Sequence, residues 1–389
     1  MIIPIFIPQL GCPGRCLYCS QEGLTGEAGL PGPERVDEIV RRYLGSWKRA
    51  RLAGPAAFAG AVAKGEVHEI AFFGGSFTML PGDVQESLLA AAKRWLGREG
   101  IGGVRLSTRP DGIDKATVER LRHYGVTVVE VGAQSMHAWV LERSGRGHGP
   151  ADTVRALDLL RRGGLQVGIH LMTGLPGDDE AGALSSLQEC LWLKPDFLRI
   201  HPTLVLKESP LERLWRAGAY QPWGWGRTLR LLSRMAALCV CHRVPVIRWG
   251  LMPGELCDRA TLAGPASPSL GEWVRRYLAY RYTLASMAAF LAGGGSGLRP
   301  GAFSCHLIVP PQDLSLVTGH RQWLLRHVNA AVPLVISGAT PLDKSGVGVR
   351  SAVGMPFRGN WRLACEGRIL CHFDLEALIS ALRDQARSL

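Results

Sequence analysis

Lysine is scarce in this chain: 7 residues of 389, against 38 arginines. Acidic residues are also outnumbered, 33 against 45 basic ones, which leaves a formal charge of +12. That balance suits a polyanionic partner, RNA above all, although an arginine-biased composition accounts for it equally well. No run of about eighteen apolar residues occurs, which excludes an ordinary transmembrane helix. The opening MIIPIFIPQL is too short for the apolar core of a secretory signal and lacks a basic start. Together these absences predict a cytoplasmic protein without membrane contact. The ten cysteines do not form a secreted disulfide framework, so in a reducing cytosol they stay thiols or bind metal. Missing, too, is a fourth cysteine beside GCPGRCLYCS (11–20), which places Cys12, Cys16 and Cys19 within eight positions. A closed zinc site uses four ligands. Three thiolates leave a metal centre one ligand short, and an open position is where chemistry happens. The other cysteines (190, 239, 241, 257, 305, 365 and 371) stand among apolar residues and read as small buried hydrophobes. CVCH (239–242) with Cys257 has no recognised metal spacing.

What is present is an alternation. Short β-branched runs recur at 2–8, 69–73, 103–107, 126–131, 166–172, 197–201 and 244–249. Between them lie stretches with helical apolar spacing, such as VDEIVRRYLGSWKRA, VQESLLAAAKRWL, ATVERLRHY and ADTVRALDLLRR. Strands alternating with helices predict an α/β fold with a parallel sheet. Six or seven units favour a barrel, open or closed, over a doubly wound sheet. Cys12, GGS (74–76), STRPD (107–111), GAQS (132–135) and TGLPGD (173–178) each follow a strand. Sites in parallel α/β folds form at those ends, so one rim is the economical place for one active site. The pattern predicts a core over 1–250 and a small C-terminal α/β domain over 251–389. That second domain includes the Gly-rich stretch 291–297, read as flexible, and segments CHLIVPP, RQWLLRHVNAA and PLVISG.

Cys-x3-Cys-x2-Cys after the first strand of such a barrel resembles the radical S-adenosylmethionine (SAM) superfamily. The resemblance implies a partial (β/α) barrel with a [4Fe–4S] cluster on Cys12, Cys16 and Cys19, and SAM chelated to the fourth iron. It also implies reductive cleavage of SAM to a 5′-deoxyadenosyl radical, with a reductant such as ferredoxin or flavodoxin. Thiolates are soft, charged ligands suited to iron at low potential. Gly11 and Gly14 are expected to make the loop compact enough for the three side chains to converge. Tyr18 stands where the superfamily has an aromatic near the adenine. Gly74 and Gly75 resemble the motif that binds the SAM amino group, with Ser76 in place of its acidic third residue. A structural zinc loop, ordinary packing of Tyr18 and a plain turn at the glycine pair are the competing readings.

FFGGSFTML, STRPD, VEVGAQS, SGRGH, HLMTGLPGD and RIHPTLVLKESPLERLW together resemble the catalytic subunit of Elongator, in that family's order. This implies modification of wobble uridine in tRNA. The length after the small domain leaves no room for that family's acetyltransferase domain, so acetyl-CoA chemistry is not carried over. Gln134 and Arg146 match, with their interval, a glutamine and an arginine of oxygen-independent coproporphyrinogen oxidase. There the arginine meets the SAM carboxylate, for which a guanidinium fork is well shaped. Ser107 replaces that family's glutamate, and His170 its aspartate, as in Elongator. On their own, Gln134 reads equally as a backbone partner, Arg146 as a surface charge and His170 as a satisfied core residue. No residue is assigned a catalytic role. The expectation is a radical SAM enzyme acting on tRNA or a nucleoside. The alternatives are a radical SAM enzyme on a small anionic molecule such as a tetrapyrrole, and a non-catalytic iron–sulfur protein.

Overall fold

Every second residue of the first segment is an isoleucine, and Ile3, Ile5 and Ile7 are all buried, as a strand with one covered face requires. The computed structural model describes residues 1–7, 11–20, 29–52, 67–251 and 255–292, together with four later strands. Six strands lie side by side in parallel: β1 (Ile2–Ile7), β2 (His68–Gly74), β3 (Ile101–Thr108), β4 (Val126–Gln134), β5 (Gln166–Thr173) and β6 (Phe197–Pro202). A two-residue strand, β7 (Val205–Leu206), pairs elsewhere, and β8 (Val246–Trp249) completes a seven-stranded order β1-β2-β3-β4-β5-β6-β8.

That order is monotonic. A doubly wound sheet reverses direction and carries helices on both faces. Here each right-handed crossover adds a strand on the same side of the last, so the helices cover one face only. The connecting helices are α1 (Pro33–Leu52), α2 (Gly82–Lys93), α3 (Lys115–His123), the short α4 (Ala138–Arg143), α5 (Pro150–Arg162) and α6 (Glu180–Trp192). Beneath them lies the apolar face, with Phe72, Leu106, Val129, Ile169 and Ile200 buried on successive strands. Local chemistry starts several of these helices: Asp114 accepts from Thr117 N at α3, and Asp179 from Gly182 N at α6.

The opposite face is polar. Arg105 of β3 bonds Glu69 of β2 and Glu130 of β4, and the other oxygen of Glu130 meets Arg199 of β6 at 2.9 Å. Two cations and two anions cancel in this row, which is what allows charges inside a sheet interior. Arg199 also lies 5.0 Å from the Phe73 ring centre, and Arg105 5.1 Å from that of Phe197.

By packing, the chain forms two units. The first is Met1–Trp223 with Leu251–Pro268, and it holds α7 (Pro210–Arg216) and the pair formed by β7 with β9 (Thr261–Ala263). The second is Gly224–Gly250 with Ser269–Leu389. In it, α8 (Trp225–Cys241) packs on α10 (Leu270–Ala292), the intervening α9 (Glu255–Ala260) belonging to the first unit. Four strands form its sheet in the order β11-β10-β12-β13: β10 (Cys305–Val309), β11 (Leu334–Gly338), β12 (Trp361–Cys365) and β13 (Arg368–Phe373). β10 pairs in parallel with β11 and antiparallel with β12, consistent with a small α/β unit. Of the Gly-rich stretch, 291–292 close α10 and 293–297 lie outside the described residues, as does RQWLLRHVNAA.

Candidate active site

The three cysteines sit in the loop after β1, Cys16 buried and Cys12 and Cys19 half-buried; none is in a disulfide. Backbone bonds fasten the loop on two sides. Leu17 N donates to Ser144 O at 3.0 Å, and Leu17 O accepts from Leu211 N at 2.8 Å. Arg15 adds a side-chain bond to Glu208 O at 2.6 Å. Gly11 begins the loop with φ +78°, and a β-carbon there would lie 2.4 Å from Ser76 O. Only glycine permits that approach. Gly14 is different: nothing lies within 4 Å of a β-carbon built on it, so compactness does not depend on it.

Each neighbouring strand end then contributes. After β2, Gly74 takes φ +107°, Gly75 N donates to Ile7 O at 2.6 Å, and Ser76 Oγ stands 3.4 Å from Cys12 Sγ. Ser107 is half-buried near the end of β3, where it registers with Glu130. On β4 the ladder slips between Val131 and Gln134, and Gln134 takes φ +66°. Such a bulge re-aims a side chain. Gln134 is buried with Oε1 unpartnered.

Arg146 joins these pieces. Its Nη1 donates to Cys16 Sγ at 3.5 Å and its Nη2 to Gly132 O at 2.8 Å, while Nε is buried without a partner. Burial opposes its charge, but Tyr18 and the thiols of Cys16 and Cys12 more than compensate and raise its pKa. Burial likewise raises the Tyr18 phenol, so it stays protonated. His170 on β5 presents an enclosed, unpartnered Nε2 and stacks edge-on with His201 at 4.2 Å. Burial, then the charges of Arg199 and Arg146, push its pKa down to about 3, so the imidazole is neutral.

The structure therefore brings Cys12 to Ser76, and Cys16 to Tyr18 and Arg146; Arg146 in turn reaches Gly132, which adjoins Gln134. Gly132 was not singled out from the sequence, yet a β-carbon on it would lie 2.8 Å from Arg146 Nη2 and 2.9 Å from Gln134 Nε2. A glycine two residues before a candidate ligand was the only available signal. Also unforeseen is the clamp under the Arg146 loop. Arg109 grips Asp111 through two bonds of 2.9 and 2.7 Å, and His148 Nε2 lies 3.3 Å from Ala133 O. Burial, and then the Arg146 charge, lower His148 to about 4, which leaves it neutral.

Among the described residues no three His, Cys, Asp or Glu side chains are gathered tightly enough for a single metal ion. The same holds for CVCH with Cys257; Cys239 is buried and its thiol pKa is raised by that burial. The donor chemistry still fits a cluster, because a cubane offers three separate irons, each taking one thiolate. Arg146 beside Cys16 supplies the compensating charge.

The sequence matches the model described as Radical SAM superfamily over residues 6–189 and that of the Radical_SAM C-terminal domain over 195–280. It is similar to the tRNA uridine(34) acetyltransferases of Methanocaldococcus jannaschii (29% identical over 176 residues, 44% of this chain and 32% of that protein) and Dehalococcoides mccartyi (28% over 255 residues, 61% and 56%). The chain thus spans about a third to about half the length of these relatives. Among solved structures, an N-terminally truncated Elp3 of Methanocaldococcus infernus superposes with a TM-score of 0.56 at 20% identity, over 72% of this chain and 63% of that one. At that identity the likeness is one of fold, a curled half-barrel of parallel strands.

Proposed function

Because the chain belongs to the radical SAM superfamily, we propose that Cys12, Cys16 and Cys19 hold a [4Fe–4S] cluster and that SAM binds along the adjoining rim, for the modification of tRNA. When bound, the two groups supply reductive cleavage of SAM to a 5′-deoxyadenosyl radical, using an electron from a small redox protein such as ferredoxin or flavodoxin. The chain's own residues bind and orient. Arg146 carries the reading: it is a buried guanidinium committed to Cys16 and Gly132 through its two terminal nitrogens, with Nε still unpartnered. Its charge, held in a low dielectric, suits a carboxylate such as that of SAM. Gln134 Oε1 offers an acceptor, Gly74 and Gly75 leave the backbone approachable, and Tyr18 supplies a protonated aromatic beside Cys16. His170, neutral, can donate or accept but carries no charge to repel a cationic sulfonium. Ser76 and Ser107 complete the set of proposed contacts.

The tRNA substrate is supported by the names of the curated relatives and by the charge of +12. Anaerobic turnover of reduced protein with SAM and total tRNA, read by nucleoside mass spectrometry and by 5′-deoxyadenosine yield, tests it. The expected result is a new modified nucleoside with tRNA-dependent 5′-deoxyadenosine. Formation of 5′-deoxyadenosine that tRNA neither increases nor consumes would move the substrate to a small anionic molecule.

A further inference from the structure

The positive charge is not spread over the chain. The unit made of Gly224–Gly250 and Ser269–Leu389 holds 18 arginine and lysine residues against 7 acidic ones, a formal +11 of the total +12. The other unit is nearly balanced, at 27 against 26. Within the sequence, residues 213–254 contain seven arginines and no aspartate or glutamate at all. Half of that stretch is α8 and β8, and α8 carries Arg227, Arg230 and Arg234 at intervals of three and four, which puts them on one helix face. Its other face is apolar and buried, with Leu229, Leu232, Met235 and Val240 covered.

A composition bias toward arginine does not produce this pattern. In the first unit, five surface arginines have a carboxylate one helical turn away, Arg35 with Glu38, Arg155 with Asp152, Arg162 with Asp158, Arg216 with Glu212 and Arg259 with Glu255, and in the second unit Arg276 has Glu272. Arg230 and Arg234 are exposed and have no ion-pair partner among the described residues. Three like charges along one face repel one another and cost helix stability. A face that keeps Arg230 and Arg234, in a stretch of sequence without an aspartate or glutamate, matches a partner whose negative charges are themselves regularly spaced.

We infer that the arginine face of α8, centred on Arg230 and Arg234, is the docking surface for the RNA phosphate backbone. This rests on the tRNA reading above. Binding to phosphates releases counterions, so the face contributes to affinity and to salt dependence without reading sequence.

The test uses the full-length, cluster-loaded protein and unfractionated tRNA, with binding followed by fluorescence anisotropy across a salt series. The double variant Arg230→Gln/Arg234→Gln should weaken binding at least tenfold at low salt. It should also make the slope of log affinity against log salt shallower by about 1.4–1.8, roughly 0.7–0.9 per phosphate contact. The control Arg155→Gln/Arg162→Gln removes the same charge from the other unit and should leave affinity and slope close to wild type. Circular dichroism and tRNA-independent 5′-deoxyadenosine yield should not change in either variant. Equal losses in both doubles would overturn the docking surface while leaving tRNA as substrate. Failure of the wild type to bind tRNA at low salt would instead remove the substrate reading, and the docking site with it. Stronger capture by phosphatidylserine vesicles than by tRNA, lost in the α8 double, would make the face a membrane contact and overturn the RNA assignment.

Discussion

A methyl group on Gly132 would sit 2.8 Å from one terminal nitrogen of Arg146 and 2.9 Å from the amide nitrogen of Gln134. Both side-chain ends would have to shift, and because both are buried and Arg146 is already bonded to Cys16 and to Gly132 itself, the shift disturbs those bonds. Arg146→Ala should weaken SAM binding by about 1.5–3 kcal/mol, the worth of a hydrogen bond to a charged group. Gly132→Ala should reproduce part of that loss without touching a single donor, because it displaces the guanidinium and the amide together. Titration calorimetry on reconstituted protein, with iron content checked in each variant, measures both. Wild-type affinity in Arg146→Ala with the iron intact would remove the carboxylate contact from the proposal.

Among elements, the cysteine loop shows how little of its shape is its own. It is tied to Ser144, to Leu211 at the start of α7, to Glu208, and by contact to the turn after β2. A side chain at Gly11 would meet the Ser76 carbonyl at 2.4 Å and force a left-handed conformation on an ordinary residue, a strain of about 1–3 kcal/mol. Gly11→Ala should therefore lower iron retention after anaerobic reconstitution, seen as lost visible absorbance and fewer irons per chain. Gly14→Ala, which points into open space, should retain the wild-type content. Equal retention in both variants would mean that the contact with the β2 turn does not shape the loop.

At the scale of the whole molecule, stability should depend on pH through Asp178. Burial raises its carboxyl to about 6, against the donors Gly174 N and Asp179 N that favour the anion. The folded pKa lies above the unfolded one, so the folded state holds the proton more tightly. Below about pH 4 both states are protonated and nothing is lost; stability then falls as pH rises toward 6 and levels beyond it. Asp178→Asn keeps an acceptor for Gly174 N and removes the charge. It should stabilise the protein by about 1–3 kcal/mol at pH 7.5 and by little at pH 4, read from urea unfolding at the two pH values. A gain of equal size at both would assign the effect to packing. The charge distribution belongs to this scale too: nearly all of the excess sits in one packing unit, which the bulk figure of +12 conceals.

Residue order alone was enough for the strand and helix succession, because periodicities of two and 3.6 are local and each element buries one face. The seven strands of the core and the four helices quoted from the pattern all lie where their apolar spacing put them. The three cysteines were legible for the same reason, being eight positions of one loop. β12 and β13 were not read, since WRLAC and RILCHF have no turn signal stronger than the Glu366–Gly367 between them. The barrel, favoured over a doubly wound sheet by the number of units and by the family resemblance, did not follow from periodicity itself, because strand order depends on which edge each crossover joins. The resemblance pointed to Gln134 and Arg146, but the contact of Arg146 with Cys16 was not legible, for a related reason. Cys16 and Arg146 are 130 positions apart, and they meet only because parallel register carries the ends of β1 and β4 to the same rim. Likewise Gly132 gains its meaning from a bulge that turns Gln134 inward, and a bulge is a property of two strands, not of one.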